Sequence, residues 1–249
     1  SEMYNMEGFK SGETSLKPYE LKALGDVSGK SLLHLQCHFG QDTLSWSRLG
    51  AKCMAVDLSD EAIKLATKLN EELELDAEFV CCNVLETSKH VTKTFDIVFT
   101  SYGTIGWLPD LKAWAKMISE RLKPGGVFYI VEFHPILWMF GYNEGNPEMK
   151  YHYNQKEVIY DEYDGTYADQ SSKMVSKEYG WNHGLSDVVN ALIEAGLQIE
   201  YLNEHDESPY DVFPDLIKTE DGMYRMENQL FPMIFEVKAN KKYKTAKKI

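Results

Sequence analysis

The residues best placed for chemistry lie in two short stretches that each follow an apolar run. Residues 32–35 are apolar apart from His34, and they lead into a turn that holds Gln36, His38 and Gly40. A second apolar run, residues 53–56, ends in Asp57. Strand, turn, helix start, strand and acid, in this order, are typical of a nucleotide-binding unit in a doubly wound α/β sheet. The turn would hold a ligand at the helix N-terminus, and Asp57 could accept hydrogen bonds from ribose hydroxyls.

The turn has a second interpretation, because a nucleotide-binding turn usually has glycine where its backbone approaches the ligand. Only Gly40 is in place, whereas Gln36 and His38 carry side chains. An ordinary βαβ unit, in which Asp57 caps a helix, explains the turn and the acid equally well. The rest of the chain has to decide between the two.

Strands and helices are predicted to alternate at short spacing between residues 31 and 133. The strand segments are apolar on both sides, which is typical of a parallel sheet covered by helices on both faces. Ser59 can cap the helix after the second strand, and Lys123 to Gly126 break another helix before the fifth strand. The predicted strands are residues 31–35, 52–57, 78–82, 94–100 and 127–133, and the predicted helices are residues 43–49, 59–73 and 111–122.

This alternation stops after residue 137. Segments 150–154, 157–161 and 172–181 are rich in β-forming residues, and they predict an antiparallel insertion over the carboxyl edge of the sheet. A helix over 185–195 and strands over 197–202 and 231–238 follow, with an acidic loop between the strands. The two final strands are expected to pair antiparallel at the sheet edge. The predicted fold is therefore a Rossmann-like, doubly wound, seven-stranded and mostly parallel sheet with an antiparallel last strand and a β insertion after the fifth strand.

Charge and composition restrict the class of partner. The formal net charge is −13 over 249 residues, and six lysines fall in the last twelve. Such an acidic body disfavours nucleic acid, since phosphate contacts need a basic surface. The four cysteines form no CxxC pair and no zinc-like spacing, so no metal is expected. No leader-like segment and no apolar run near ~20 residues is seen, which predicts a reduced, cytoplasmic protein without a membrane partner.

With these elements placed, the chain resembles the class I S-adenosylmethionine-dependent methyltransferases of small-molecule type, with a divergent first motif. The resemblance covers most of residues 31–133 and, more loosely, the two closing strands. Its most specific piece is Arg121-Leu122-Lys123-Pro124-Gly125-Gly126 ahead of an apolar strand. The other matching segments are Leu32–Gly40, Val56–Ser59, Cys82–Leu85 and Phe95–Phe99.

The resemblance implies S-adenosylmethionine as cofactor and a role for each matching residue. Gly40 would let the turn pass close to the methionine end of the cofactor, with Gln36 and His38 lining the pocket where the family has glycine. His34 stands where the family usually has Asp or Glu, which leaves open how the methionine amino group is held. Asp57 would bind the ribose. The remaining implied contacts are Leu58, Ser59, Asn83, Val84 and Leu85 around the adenine, and Ser101, Tyr102 and Gly103 beside the sulfonium.

Methyl transfer from a sulfonium is an in-line displacement, so the protein must mostly align the reactants and exclude water. No fixed catalytic triad is expected. Tyr102, His134 and His183 are the candidate catalytic residues, because each lies where a predicted strand or helix meets the expected site. Tyr102 would orient a substrate or simply cover the sulfonium. The alternative role of His134 is a loop cap or a core hydrogen bond, and that of His183 is an ordinary residue at a helix N-terminus.

The sequence predicts four parts: an N-terminal capping segment over 1–30, a methyltransferase domain over 31–137 and 182–240, a substrate lid over 138–181, and a basic tail over 241–249. Eight aromatic residues between Trp138 and Tyr167 favour a pocket for a small organic substrate. Two other functions stay open, a nicotinamide-dependent oxidoreductase and a non-catalytic binder of an adenosyl ligand. The methyl acceptor and the oligomeric state are not defined by the sequence.

Overall fold

The computed structural model describes residues 5–143, 146–164 and 175–243. Its first half alternates helices and strands as the sequence predicts. Three short 3₁₀ turns, at Val84–Glu86, Ile105–Trp107 and Pro135–Met139, follow strands in this half. The elements are α1 (Met6–Lys10), α2 (Pro18–Leu24), β1 (Ser31–Leu35), α3 (Gln41–Arg48), β2 (Lys52–Asp57), α4 (Asp60–Glu72), β3 (Glu78–Cys81), α5 (Thr87–His90), β4 (Phe95–Ser101), α6 (Leu111–Arg121) and β5 (Leu122–Phe133).

The second half adds two hairpins, one helix and the strands that complete the sheet. Neither hairpin joins the main sheet, and each consists of two antiparallel strands. The elements are β6 (Phe140–Asn143), β7 (Asn146–Met149), β8 (Ile159–Asp164), β9 (Val175–Gly180), α7 (Leu185–Glu194), β10 (Leu197–His205), β11 (Glu207–Ser208), β12 (Ile217–Lys218), β13 (Tyr224–Arg225) and β14 (Ile234–Lys241).

The central sheet has seven strands in the order β10-β14-β5-β4-β1-β2-β3. Strands β1 to β5 pair parallel with one another. Strand β14 pairs antiparallel with both β5 and β10. The predicted Rossmann-like architecture, with one antiparallel strand and a β-rich insertion after the fifth strand, is therefore confirmed. The parallel strands end at a common edge, which brings the tips of β1, β2, β3 and β4 together.

Two apolar layers explain why the strand segments carry no polar face. Adjacent residues Leu32 and Leu33 are both fully buried, and they belong to opposite layers. Helices α6 and α7 cover one face through Trp114 and Leu192, whereas α2 and α3 cover the other. Each face of the sheet is therefore closed by helices, as expected for buried parallel strands.

Three details differ from the sequence prediction. Residues 150–154 form turns instead of a strand, because the amides of Lys150 and Tyr151 both donate to the Met139 carbonyl and close the β6–β7 hairpin. The predicted acidic loop contains the small sheet β11-β13-β12, and β10 runs on to His205 because β14 pairs with it that far. Strand β5 begins at Leu122, and residues 123–126 bulge opposite Asp96 before the regular pairing with β4 resumes. The first residues of the predicted segment 172–181 and the end of the basic tail lie outside the described residues.

Candidate active site

The turn after β1 has a left-handed backbone at three positions. The φ angles are +53° at Gln36, +52° at His38 and +83° at Gly40. Left-handed backbone is costly for residues with a Cβ, so Gln36 and His38 adopt the glycine-type conformation without being glycine. At position 40 only glycine fits without a clash, since a Cβ there would lie 2.8 Å from the Phe79 ring. The chain therefore keeps the backbone path of a glycine-rich turn and lines it with two polar side chains.

Asp57 joins this turn to the tip of β2. Its Oδ2 accepts a hydrogen bond of 2.7 Å from the His38 amide, and its Oδ1 accepts one of 2.9 Å from the Ser59 amide. Each carboxylate oxygen has a second lone pair, so both can still accept from ribose hydroxyls. The Ser59 hydroxyl is already engaged, because it caps α4 by accepting from the Ala62 amide at 3.2 Å.

The neighbouring strand tips provide the surface expected to contact the adenine. Leu58 is 71% exposed, so its apolar side chain lies open to solvent at the rim. Asn83 uses its Oδ1 to accept from the Leu85 amide at 3.0 Å, which leaves its amide nitrogen and one lone pair available. Val84 is buried and Leu85 half-buried against the core below. These residues are brought together, and their contact with an adenine remains a prediction.

His34 and Gln36 occupy different environments although only one residue separates them. His34 is buried beneath the turn, where its Nδ1 lies 2.8 Å from the Thr43 hydroxyl. Burial lowers the pKa of His34 to about 4, against the opposing effect of Asp42 and Asp57, so its ring is neutral. Gln36 donates from Nε2 to the Thr104 carbonyl at 2.8 Å. Its Oε1 is buried and has no hydrogen-bond partner in the described part of the chain.

A cavity of about 530 Å³ opens beside this rim, between the segment after β4 and the two hairpins. Its walls are largely aromatic, and they come from the segment after β4, from the end of β5 and from the insertion. Carboxylates of β8 and β9 and the Lys150 side chain lie at its edge. The main wall residues are Trp107, Glu132, Trp138, Phe140, Tyr151 and Trp181.

Residues 33–130 match a family model described as a methyltransferase domain. Over 122 residues the chain is 33% identical to a demethylmenaquinone methyltransferase of Lactococcus lactis, a match that covers 47% of this chain and 48% of that protein. Over 105 residues it is 30% identical to a ubiquinone biosynthesis O-methyltransferase of Xanthomonas oryzae, covering 42% and 44%. The matches span less than half the length of these curated relatives. Residues 33–130 are therefore similar to a methyltransferase domain.

Solved structures show the same fold over most of the chain. One is a putative S-adenosylmethionine-dependent methyltransferase from Listeria monocytogenes, with a TM-score of 0.61 and 17% identity over 90% of this chain and 97% of that one. Another is the glycopeptide N-methyltransferase MtfA complexed with S-adenosylmethionine, with a TM-score of 0.57 and 16% identity over 89% and 91%. At these identities the likeness shows the fold alone.

The segment that follows β4 is held by one buried carboxylate. Glu132 accepts from the Gly103 amide, from the Thr104 amide at 2.7 Å and hydroxyl at 3.0 Å, from the Ile105 amide at 3.2 Å and from the Phe133 amide at 2.7 Å. With five donors on two oxygens, Glu132 fixes the cavity wall and has little capacity left to act as a base. A single acid at the end of an otherwise apolar strand was the sequence signal for this role.

Tyr102 and Ser101 lie at the tip of β4, as predicted. Tyr102 has a φ of +30°, and its ring packs 5.1 Å from Tyr210 and 5.7 Å from Phe133. Its hydroxyl is buried without a hydrogen-bond partner in the described residues, and burial raises the pKa of Tyr102 well above its usual value. Ser101 donates to Asp42 Oδ2 at 3.1 Å. Tyr102 is therefore a neutral donor with an open hydrogen-bonding position at the rim.

The two candidate histidines lie apart from the cavity lining. His134 Nδ1 accepts from the Ile136 amide at 3.2 Å, so its proton is on Nε2 and is donated to Glu204 at 2.8 Å. Burial lowers the pKa of His134, with Glu204 opposing the shift. His183 donates from Nε2 to the Leu108 carbonyl at 2.8 Å, which leaves Nδ1 as an acceptor. Burial also lowers the pKa of His183, and its immediate neighbours Trp181 and Asn182 line the cavity.

Other classes of site find no support in the described ranges. No group of three or more His, Cys, Asp or Glu side chains among them could hold a metal ion. No helix there is long and apolar enough to span a membrane. All four cysteines are free thiols.

Proposed function

We propose that the protein transfers a methyl group from S-adenosylmethionine to a small organic molecule in the cavity beside Glu132. The observation that carries the proposal is the position of this cavity. It is lined by Gly103, which belongs to the segment expected beside the cofactor's sulfonium, and by Glu132, which accepts a hydrogen bond from the Gly103 amide. An acceptor lying there would meet the methyl group at the carboxyl edge of the sheet, where ligands of open α/β folds bind.

The residues at the rim fit the cofactor. Asp57 keeps two lone pairs for a ribose, and exposed Leu58 offers an apolar surface to an adenine. The buried Gln36 Oε1 and the Tyr102 hydroxyl both lack hydrogen-bond partners among the described residues, as expected of groups that bind a polar ligand. The similarity of residues 33–130 to a methyltransferase domain and the antiparallel last strand β14 favour this cofactor over a nicotinamide dinucleotide, whose three-glycine fingerprint is absent from the turn.

In this mechanism the bound cofactor supplies the reactive methyl group, and the chain positions the acceptor and excludes water. Glu132 holds residues 103–105 in place, which fixes one wall of the reaction space. Aromatic side chains of the insertion cover the acceptor and exclude water. Asp161 lies at the cavity edge with no hydrogen bond to its carboxylate in the described residues, so it is the acid best placed to take a proton from a protonated acceptor.

The relatives indicate which acceptors to test first. Their names refer to demethylmenaquinone and to ubiquinone biosynthesis. Five aromatic side chains in the cavity wall suit a flat ring such as that of a quinone. We further propose that residues 138–181 act as a substrate lid, that the domain comprises 31–137 and 182–240, and that residues 1–30 cap the site.

The test combines binding and turnover. Calorimetric titration with S-adenosylhomocysteine should give micromolar or tighter binding, whereas NAD should give none. Labelled S-adenosylmethionine should then methylate members of a panel of phenols, hydroquinones and amines, and Trp107→Ala should raise KM for the acceptor. Tight NAD binding without S-adenosylhomocysteine binding would instead support the oxidoreductase, and cofactor binding without transfer to any acceptor would support the binder.

A further inference from the structure

Glu20 is a buried acid that makes no hydrogen bond to the part of the chain that the structure describes. It lies in α2, is fully buried, and neither carboxylate oxygen has a hydrogen-bond partner among the described residues. Burial raises the pKa of Glu20 well above its usual value, nearby Asp42 raises it further, and the backbone amides of Lys17 and Glu20 offset part of the shift. A carboxyl group is rarely buried unpaired, because its desolvation is costly, so this position needs an explanation.

A second acid, Asp42, approaches from the first turn of α3. Its Oδ1 accepts from the Ser15 hydroxyl at 2.6 Å, and its Oδ2 accepts from the Ser101 hydroxyl at 3.1 Å. Asp42 thereby ties the segment before α2 to the tip of β4. It is also the strongest charge acting on Glu20. Its partner Ser101 precedes Tyr102, and Tyr102 packs in the same apolar layer as Tyr19 and Leu21, the neighbours of Glu20 in α2, so the two acids approach a common region.

That region adjoins the expected methionine end of the cofactor. Glu20 and Asp42 both act electrostatically on Tyr102, whose hydroxyl is buried without a partner in the described residues. Asp42 also acts on His34, which stands beneath the turn. Two carboxylates, an open hydroxyl and the edge of the cofactor turn therefore converge where β1 and β4 end.

The family acid is absent from the first motif, since His34 occupies its position and is neutral. A cofactor with a cationic ammonium group at its amino-acid end still needs a negative partner. We propose that Glu20 and Asp42 form an anionic subsite that binds the ammonium group of the cofactor's methionine moiety, with Glu20 delivered by the N-terminal segment. This inference rests on the proposed function.

The experiment uses two ligands that differ at the group in question. S-adenosylhomocysteine carries the ammonium, whereas 5′-methylthioadenosine has the same adenosine and sulfur but no amino-acid tail. Glu20→Gln should weaken S-adenosylhomocysteine binding roughly 10- to 100-fold, the range of a lost charge-assisted hydrogen bond, and should leave methylthioadenosine within twofold. Asp26→Asn, which removes one exposed charge just after α2, should change neither affinity.

The possible outcomes separate this inference from the proposed function. Equal affinity of Glu20→Gln and wild type for S-adenosylhomocysteine would overturn the subsite while leaving methyl transfer intact. Equal weakening of both ligands would overturn it too, because the damage would then be general. If the wild-type protein binds neither ligand, the proposed function and the subsite fail together. Glu20→Gln loses no hydrogen bond on replacement, so a folded variant is expected.

Discussion

Substitution of Glu132 by Gln tests whether one carboxylate holds the site wall in place. In the native protein one oxygen of Glu132 accepts from the Gly103 and Phe133 amides, and the other accepts from Thr104 twice and from the Ile105 amide. A glutamine amide must turn its NH₂ group toward one of these two sets. At least two backbone donors then lose their acceptor and face another donor.

The size of the effect follows from this count. An unsatisfied buried polar group costs about 1–3 kcal/mol, so two orphaned amides should lower the free energy of unfolding by roughly 2–6 kcal/mol. The released segment 103–105 should also weaken binding of S-adenosylhomocysteine. Urea denaturation gives the first quantity and calorimetric titration the second.

Asp161→Asn is the matched control. It also converts an acid at the same cavity to its amide, but Asp161 accepts no hydrogen bond from the described residues, so its stability should stay within about 0.5 kcal/mol of wild type. If Glu132→Gln proved as stable as Asp161→Asn, and bound S-adenosylhomocysteine as tightly, the structural role assigned to Glu132 would be refuted.

Three further predictions concern pH and substrate binding. Burial would raise the pKa of Asp96, but Lys123 and Ser31 outweigh it and lower the pKa to about 2. Asp96→Asn should therefore cost about 1 kcal/mol at pH 7, and this cost should disappear as the pH falls through about 2; a cost unchanged between pH 7 and pH 2 would contradict this. Because burial raises the pKa of Glu20, its ionisation adds no cost below the ordinary pKa of 4.5 and destabilises the fold as the pH rises from there through the folded pKa. Glu20→Gln should therefore gain at least about 1 kcal/mol of stability relative to wild type between pH 4.5 and pH 9 in urea denaturation, and a difference that did not change with pH would refute the unpaired burial. Trp107→Ala should raise KM for the acceptor roughly tenfold with S-adenosylhomocysteine affinity unchanged, and the reverse pattern in steady-state kinetics and titration would move the acceptor out of the cavity.

The sheet could be predicted because its cause is local and repeated. Apolar segments with no polar face recur between short helices, and only a parallel sheet buried on both sides accommodates them. The tips of these strands could be predicted for the same reason, which is why Asp57, Asn83 and Ser101 were found at one edge. The bulge at 123–126 and the small sheet β11-β13-β12 escaped prediction, since two-residue strands and bulges depend on their pairing partners.

The site residues that sequence reasoning missed depend on contacts distant in the chain. Glu20 reads as a polar residue of a short helix, and its burial results from α2 packing across β5. Asp42 gives a signal only as an acid in the first turn of α3, which helix capping alone would explain. Trp107 and Trp181 meet because the Trp181 amide donates to the Gly106 carbonyl at 2.9 Å, a contact between segments far apart.

Titration of S-adenosylhomocysteine into the Asp57→Ala variant tests the central claim most directly. The substitution removes the carboxylate that accepts hydrogen bonds from the His38 and Ser59 amides and that should accept hydrogen bonds from the ribose hydroxyls. The control is Asp60→Ala, three residues further on in the exposed first turn of α4. We predict a loss of affinity of at least roughly 100-fold for Asp57→Ala and less than threefold for Asp60→Ala. Undiminished binding to Asp57→Ala would contradict an adenosyl site at this edge of the sheet.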